Sequence, residues 1–185
     1  YWMENKAFIS GCIIVLALVI IGFNGMKIYV SHVESKIQSA YAEAVAEGSI
    51  KEFANEYSNK SLGGLAALEV ADTAHSSGEY AEAIDFYTTA LNSLENDILL
   101  GRASIGLAFA TFYNGAEDKG LAQLRALAAD NTFPEAIRAE AAYHLAIHAD
   151  VSGDATEFQS YAGQIADSSS APQWQRRMER YQQQR

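Results

Sequence analysis

The chain has 185 residues, a formal net charge of −10 and a single cysteine. Its acidity argues against a nucleic-acid partner, because binding to a phosphate backbone needs a basic surface. The lone Cys12 leaves no disulfide framework and no cysteine metal site.

Twenty residues at the N-terminus, Ala7 to Met26, carry no formal charge, and eleven of them are Ile, Leu, Val or Phe. As a helix the run rises about 30 Å, the thickness of a bilayer's hydrocarbon core. Those eleven side chains favour insertion by about 3 to 7 kcal/mol. A cleaved signal peptide would have a shorter apolar core and a small-x-small site, and Asn24-Gly25-Met26-Lys27 offers no such site. The expectation is therefore one transmembrane helix within residues 1–33, with Gly11, Gly22 and Gly25 letting another helix come close. Lys6 and Lys27 flank the run evenly, so loop charge does not orient it. From Glu34 to Ser170, however, 7 Lys and Arg stand against 21 Asp and Glu, a balance of −14. Such a domain has no electrostatic reason to stay beside an anionic cytoplasmic leaflet. The expected location is a bacterial inner membrane, crossed once, with a cytoplasmic N-terminus and a periplasmic domain.

Past the run the pattern is helical. Two prolines, Pro134 and Pro172, each suit a helix start, and β-branched runs are absent. Helices are expected at about 34–47, 49–59, 62–77, 80–94, 98–114, 118–130, 134–151, 154–167 and 172–183. Gly48, Ser77-Gly78, Asn96-Asp97, Asn114-Gly115, Asn131-Thr132, Ser152-Gly153 and Ser168-Ser169-Ser170 separate them. Met26 to Ile37 holds no breaker, so the first of these helices should continue the anchor. Residues 34–60 then form a connecting helix pair and 61–170 the main domain.

That domain repeats. Ala71, Gly78, Tyr80, Ala83, Tyr87 and Ala90 set a pattern of small and large residues around a glycine turn. Ala108, Gly115, Gly120, Leu124 and Leu127 follow it, and Ala146, Gly153, Phe158, Ala162 and Ile165 follow it with large and small exchanged. Small residues let paired helices approach, and the large residue fills the gap to the next pair. The first copy closely resembles a tetratricopeptide repeat. The implied fold is all-α, a right-handed solenoid of antiparallel helix pairs at about 62–97, 98–132 and 133–170. The turns lie 37 and 38 residues apart, longer than the usual period of about 34. A solenoid must cover its last apolar face. Residues 171–185 supply a capping helix and tail, with Trp174, Met178 and Tyr181 as its apolar stripe.

The order of parts, from about Ala7 to Trp174, is similar to that of the YfgM-like family, most specifically over Leu62 to Leu91. These are tetratricopeptide-like periplasmic proteins that act as ancillary subunits of the Sec translocon. The resemblance implies protein partners, the translocon and a periplasmic chaperone; the alternative is a structural accessory subunit of another integral membrane complex, held mainly through the transmembrane helix. No catalytic motif carries over, and no cofactor is implied.

The residues themselves offer little chemistry. His144 and His148 lie four apart on one helix, but Leu145 stands where a zinc protease has Glu. A groove is the better candidate. Leading helices of stacked pairs line a concave face, which places Phe109, Phe112, Tyr113, Tyr143 and His144 there among Glu69 and Asp72. An aromatic and acidic concavity suits a partner segment with basic and apolar residues. The competing assignment is that these aromatics pack between repeats.

Overall fold

The computed structural model describes the backbone of residues 6–184 and the side chains of 23, 24 and 26–184. The described chain is entirely helical outside its turns. It divides into two compact units, 1–48 and 49–185.

The first unit contains one helix, α1 (Lys6–Glu47), 42 residues long. It runs without a break and stops where Gly48 takes φ +74°. The expected N-terminal transmembrane helix needs correction: among the described residues, no helix is long and apolar enough to cross a membrane. From Phe23 onward α1 carries Lys27, Glu34, Lys36, Glu43 and Glu47, charges that hydrocarbon would not accept. The side chains of 7–22 and 25, including Gly11, Gly22, Gly25 and Cys12, lie outside the described residues.

The second unit holds α2 (Ile50–Glu56), α3 (Ser61–Ser76), α4 (Tyr80–Ser93), α5 (Asp97–Tyr113), α6 (Glu117–Ala129), α7 (Glu135–Val151), α8 (Ala155–Ala166) and α9 (Pro172–Gln184). The helices α3/α4, α5/α6 and α7/α8 form three consecutive pairs, with α2 before them and α9 after. Inside each pair the turn is chemically the same. Gly78, Gly115 and Gly153 adopt φ of +78°, +91° and +78°, which a side chain rarely tolerates. The following amide then reaches back to the last turn: Glu79 N–H to Ala74 O at 2.9 Å, Ala116 N–H to Thr111 O at 3.2 Å, Asp154 N–H to Ala149 O at 2.8 Å. These are Schellman closures, which satisfy carbonyls that a helix end leaves open. Asn96 and Asp154 cap α5 and α8 by accepting backbone N–H groups through their side chains.

The core follows the repeat pattern. Ala71, Ala83 and Ala90 are 0 % exposed, so α3 and α4 meet on small residues. Tyr87 is buried too, and its ring lies where a side chain on Gly106 of α5 would be. Ala108, Gly120, Leu124 and Leu127 are buried in the second pair, and Ala146, Phe158, Ala162 and Ile165 in the third. The cap packs as its apolar stripe implies. Trp174 and Met178 join the core cluster of the last pairs, and the Tyr181 hydroxyl donates to Asp150 Oδ2 at 2.6 Å. The linker ahead of the cap is fastened as well, since Ser169 and Ser170 donate their amides to the Glu135 carboxylate.

The spacing of the pairs bends the unit. Backbones of α3 and α5, α5 and α7, and α7 and α9 approach one another, whereas those of α4, α6 and α8 do not. The trailing helices α6 and α8 meet through longer side chains, Arg125 on Glu157 at 3.1 Å and Gln164 on the Ala128 carbonyl at 2.8 Å. The leading helices therefore line the inner, concave side.

Candidate concave interface

A strip of rings crosses all the leading helices. His75 at the end of α3 meets Tyr80 edge-on at 5.4 Å, and Tyr80 stacks on Tyr113 at 5.4 Å. Tyr113 stacks on Phe109 at 6.3 Å, and Phe109 receives His144 edge-on at 4.7 Å. His144 touches Tyr143 and Trp174, which lie 5.3 Å apart. The Arg177 guanidinium ends the strip, 4.8 Å above the Trp174 ring. Offset and edge-on contacts at these separations are the preferred geometries of aromatic pairs. Tyr113 is 54 % exposed in the middle of the strip, while Phe109 and Tyr143 are partly buried against the core.

Of the seven expected interface residues, Phe109, Tyr113, Tyr143 and His144 come together on this strip. Phe112 takes its own direction, with its edge to Tyr113 at 5.3 Å and its Cβ against Gly120 where α5 crosses α6. Asp72 is engaged inside the unit. It accepts the Tyr87 hydroxyl at 2.7 Å and pairs with Arg102, so one carboxylate ties α3 to α4 and α5. Burial first, and that carboxylate second, push the Tyr87 phenol well above its ordinary pKa. Glu69 is exposed one turn earlier on α3.

Tyr80, Arg102, Glu140 and Arg177 were not legible as site residues. Glu140 lies one turn before Tyr143 and His144 on α7, with Arg102 and Arg177 as its charged neighbours. Burial raises its pKa above the carboxylate norm, and the two arginines pull the other way. The spacing of Trp174 and Arg177, three apart on one helix, was the only sequence signal for the last of these.

The two histidines of α7 diverge. His148 Nε2 lies 3.3 Å from Glu117 of α6, while His144 sits among rings. Among the described residues no group of three or more His, Cys, Asp and Glu could hold a metal ion. Burial, assisted by the charge of Arg177, lowers the pKa of His144 to about 4. The unfolded chain takes up that proton near pH 6.5, before the folded one does. His144 thus contributes stability that is complete above about pH 6.5 and is lost as pH falls toward 4. Glu140 acts in the opposite sense, because its folded carboxyl takes up a proton more readily than the unfolded one. Thermal midpoints measured from pH 7 to 4 should fall less steeply in His144→Phe than in the parent chain. Equal slopes would remove His144 as a source of acid sensitivity.

No curated protein and no solved structure matches the chain. The family of the tetratricopeptide repeat-like domain matches it over residues 1–142, from the N-terminus into α7. Repeats of this kind are typically interaction scaffolds without catalytic activity. The chain belongs to the tetratricopeptide repeat-like domain family.

Proposed function

We propose that the second unit is a protein-binding scaffold that holds a segment of its partner along the concave strip from Tyr80 to Trp174. The observation that carries this reading is the continuity of the rings from His75 of α3 through α5 and α7 to Trp174 of α9, with Tyr80 at the start of α4 beside His75 and Tyr113 exposed among them. An exposed tyrosine held by partly buried rings on a rigid concave scaffold supplies large contact area at small entropic cost. Asp72 is neutralised by Arg102, so Glu69 and Glu140 are the acids left to meet a basic residue of the segment. The resemblance over Leu62 to Leu91 to the YfgM-like family supplies the finer part of the proposal. The partners are then exported chains, a translocon component or a periplasmic chaperone, and the scaffold works on the periplasmic side.

A photo-crosslinking residue at Tyr113 tests this, with the same residue at Asp85, exposed on α4, as the outer-side control. Crosslinks from position 113 to a translocon component or chaperone, with none from 85, are expected. In a binding assay with the captured partner, Tyr113→Ala should weaken affinity about tenfold, the loss typical of an aromatic anchor. Equal crosslinking from both positions would reject the concave face. Products outside the export machinery would reject the finer assignment.

A further inference from the structure

At the C-terminal end of the strip, Tyr143, Arg177, Arg180, Tyr181 and Gln184 line a groove of about 410 Å³. We propose that this groove receives an aspartate or glutamate side chain of the bound partner segment. The groove thereby gives that segment a direction, with its acidic end over α9.

The argument begins with charge. The chain is strongly acidic, yet α9 carries Arg176, Arg177 and Arg180 against a single Glu179. Arg177 and Arg180 both line the groove. Arg177 lies over the rings of Trp174 at 4.8 Å and Tyr143 at 6.0 Å, and among the described residues it makes no hydrogen bond or ion pair. A guanidinium that contacts rings without a hydrogen-bond partner keeps its N–H donors available, and their fork fits a carboxylate with two parallel hydrogen bonds. Arg180 commits only its Nε, to the Arg176 carbonyl at 3.3 Å. The Tyr143 hydroxyl has no hydrogen-bond partner among the described residues and adds a neutral donor.

The acids nearby do not fill the groove. Asp150 accepts the Tyr181 hydroxyl at 2.6 Å. Glu140 feels the charge of Arg177 without forming an ion pair with it. A single carboxylate on a peptide suits the site better than an extended anion does. A chain of charge −10 repels anionic membranes and nucleic acids as a whole, whereas one acidic side chain meets mainly the local field within a Debye length. The groove also continues the aromatic strip through Tyr143, so a segment lying on the strip reaches it.

The proposal rests on reading the strip as partner-binding, and the two fail separately. A chain that crosslinks its partner through position 113 but ignores acidic residues loses the groove and keeps the scaffold. The probe is a dye-labelled peptide Phe-Glu-Glu-Phe, titrated with the full chain by fluorescence anisotropy, beside Phe-Gln-Gln-Phe. The glutamate peptide should bind roughly tenfold tighter, as expected for hydrogen bonds to a charged group. Arg177→Gln and Arg180→Gln should each remove most of that preference and leave the glutamine peptide unaffected. Arg176→Gln, with the same charge change on the same helix but outside the groove, should change nothing. Equal affinity for the two peptides, binding of neither, or an equal loss in Arg176→Gln overturns the proposal. The peptide comparison needs no variant, so it stands even if a substitution disturbs α9.

Discussion

Phe158→Ala is expected to destabilise the second unit by about 3–5 kcal/mol, the range for truncating a buried phenylalanine whose cavity stays open. Phe158 is 1 % exposed and belongs to the core cluster with Leu145, Ala146, Ile165 and Trp174. Its position corresponds to Ala83 in the first pair and Gly120 in the second, where small residues let the helices close up. In the third pair a wedge stands there instead. The position four further on compensates: Ala162 is small where Tyr87 and Leu124 are large. Truncating Phe158 therefore leaves small residues at both positions, so neither position fills the space. The cap should feel it as well, because Tyr181 rests on the Phe158 ring at a centroid distance of 6.3 Å. Urea unfolding of the full chain, with the m-value checked for change, measures the loss. Limited proteolysis between 171 and 184 should quicken in parallel. A loss below about 1 kcal/mol would mean that the third pair collapses onto the vacancy, contrary to the usual behaviour of such sites.

Most of the fold could be read from the sequence because its punctuation is local. Gly78, Gly115 and Gly153 end helices by a backbone conformation that only the residue itself and the next few amides determine. The helix limits therefore fell close to the expected ones. The repeat register could be read for a related reason: Ala71, Ala83 and Tyr87 differ in volume, and volume decides what fits at a helix crossing. The interface was harder, because a site made by several helices depends on where each turns its side chains. The sequence places Asp72 with Glu69 among the acids of the concave face. The partners of Asp72 are Tyr87, fifteen residues on, and Arg102, thirty residues on, and each comes from a different helix. Phe112 and Tyr113 are neighbours in sequence, yet one points to the α5–α6 crossing and the other to the concave side. A 100° step around a helix is enough to separate them, and pattern alone does not say which step faces the groove. The N-terminal expectation rested on the composition of a run whose side chains are mostly outside the described residues, and the described helices contain no membrane-crossing segment.

Gly120→Ala should destabilise the second pair by about 1–3 kcal/mol, the usual cost of overpacking a tight site. The sign makes the test sharp. By helix propensity alone, alanine in place of glycine inside α6 would stabilise by about 1 kcal/mol. Packing reverses this, because a Cβ on Gly120 would lie 2.6 Å from the Ala108 carbonyl oxygen and 2.8 Å from the Phe112 Cβ. A backbone oxygen cannot rotate away as a long side chain can, so α5 and α6 must move apart. Gly163 of α8 supplies the control, since its Cβ would meet nothing within 4 Å. Gly163→Ala should therefore show the propensity gain undisturbed, up to about 1 kcal/mol. Thermal and urea midpoints of the two variants should move in opposite directions from the parent. The displacement in Gly120→Ala should also reach the interface, because Phe112 supports Tyr113 at 5.3 Å. Partner capture through Tyr113 should weaken in Gly120→Ala and stay unchanged in Gly163→Ala. If both variants gained stability, the close approach of Ala108 to Gly120 would be wrong, and with it the equivalence of the second pair to the first.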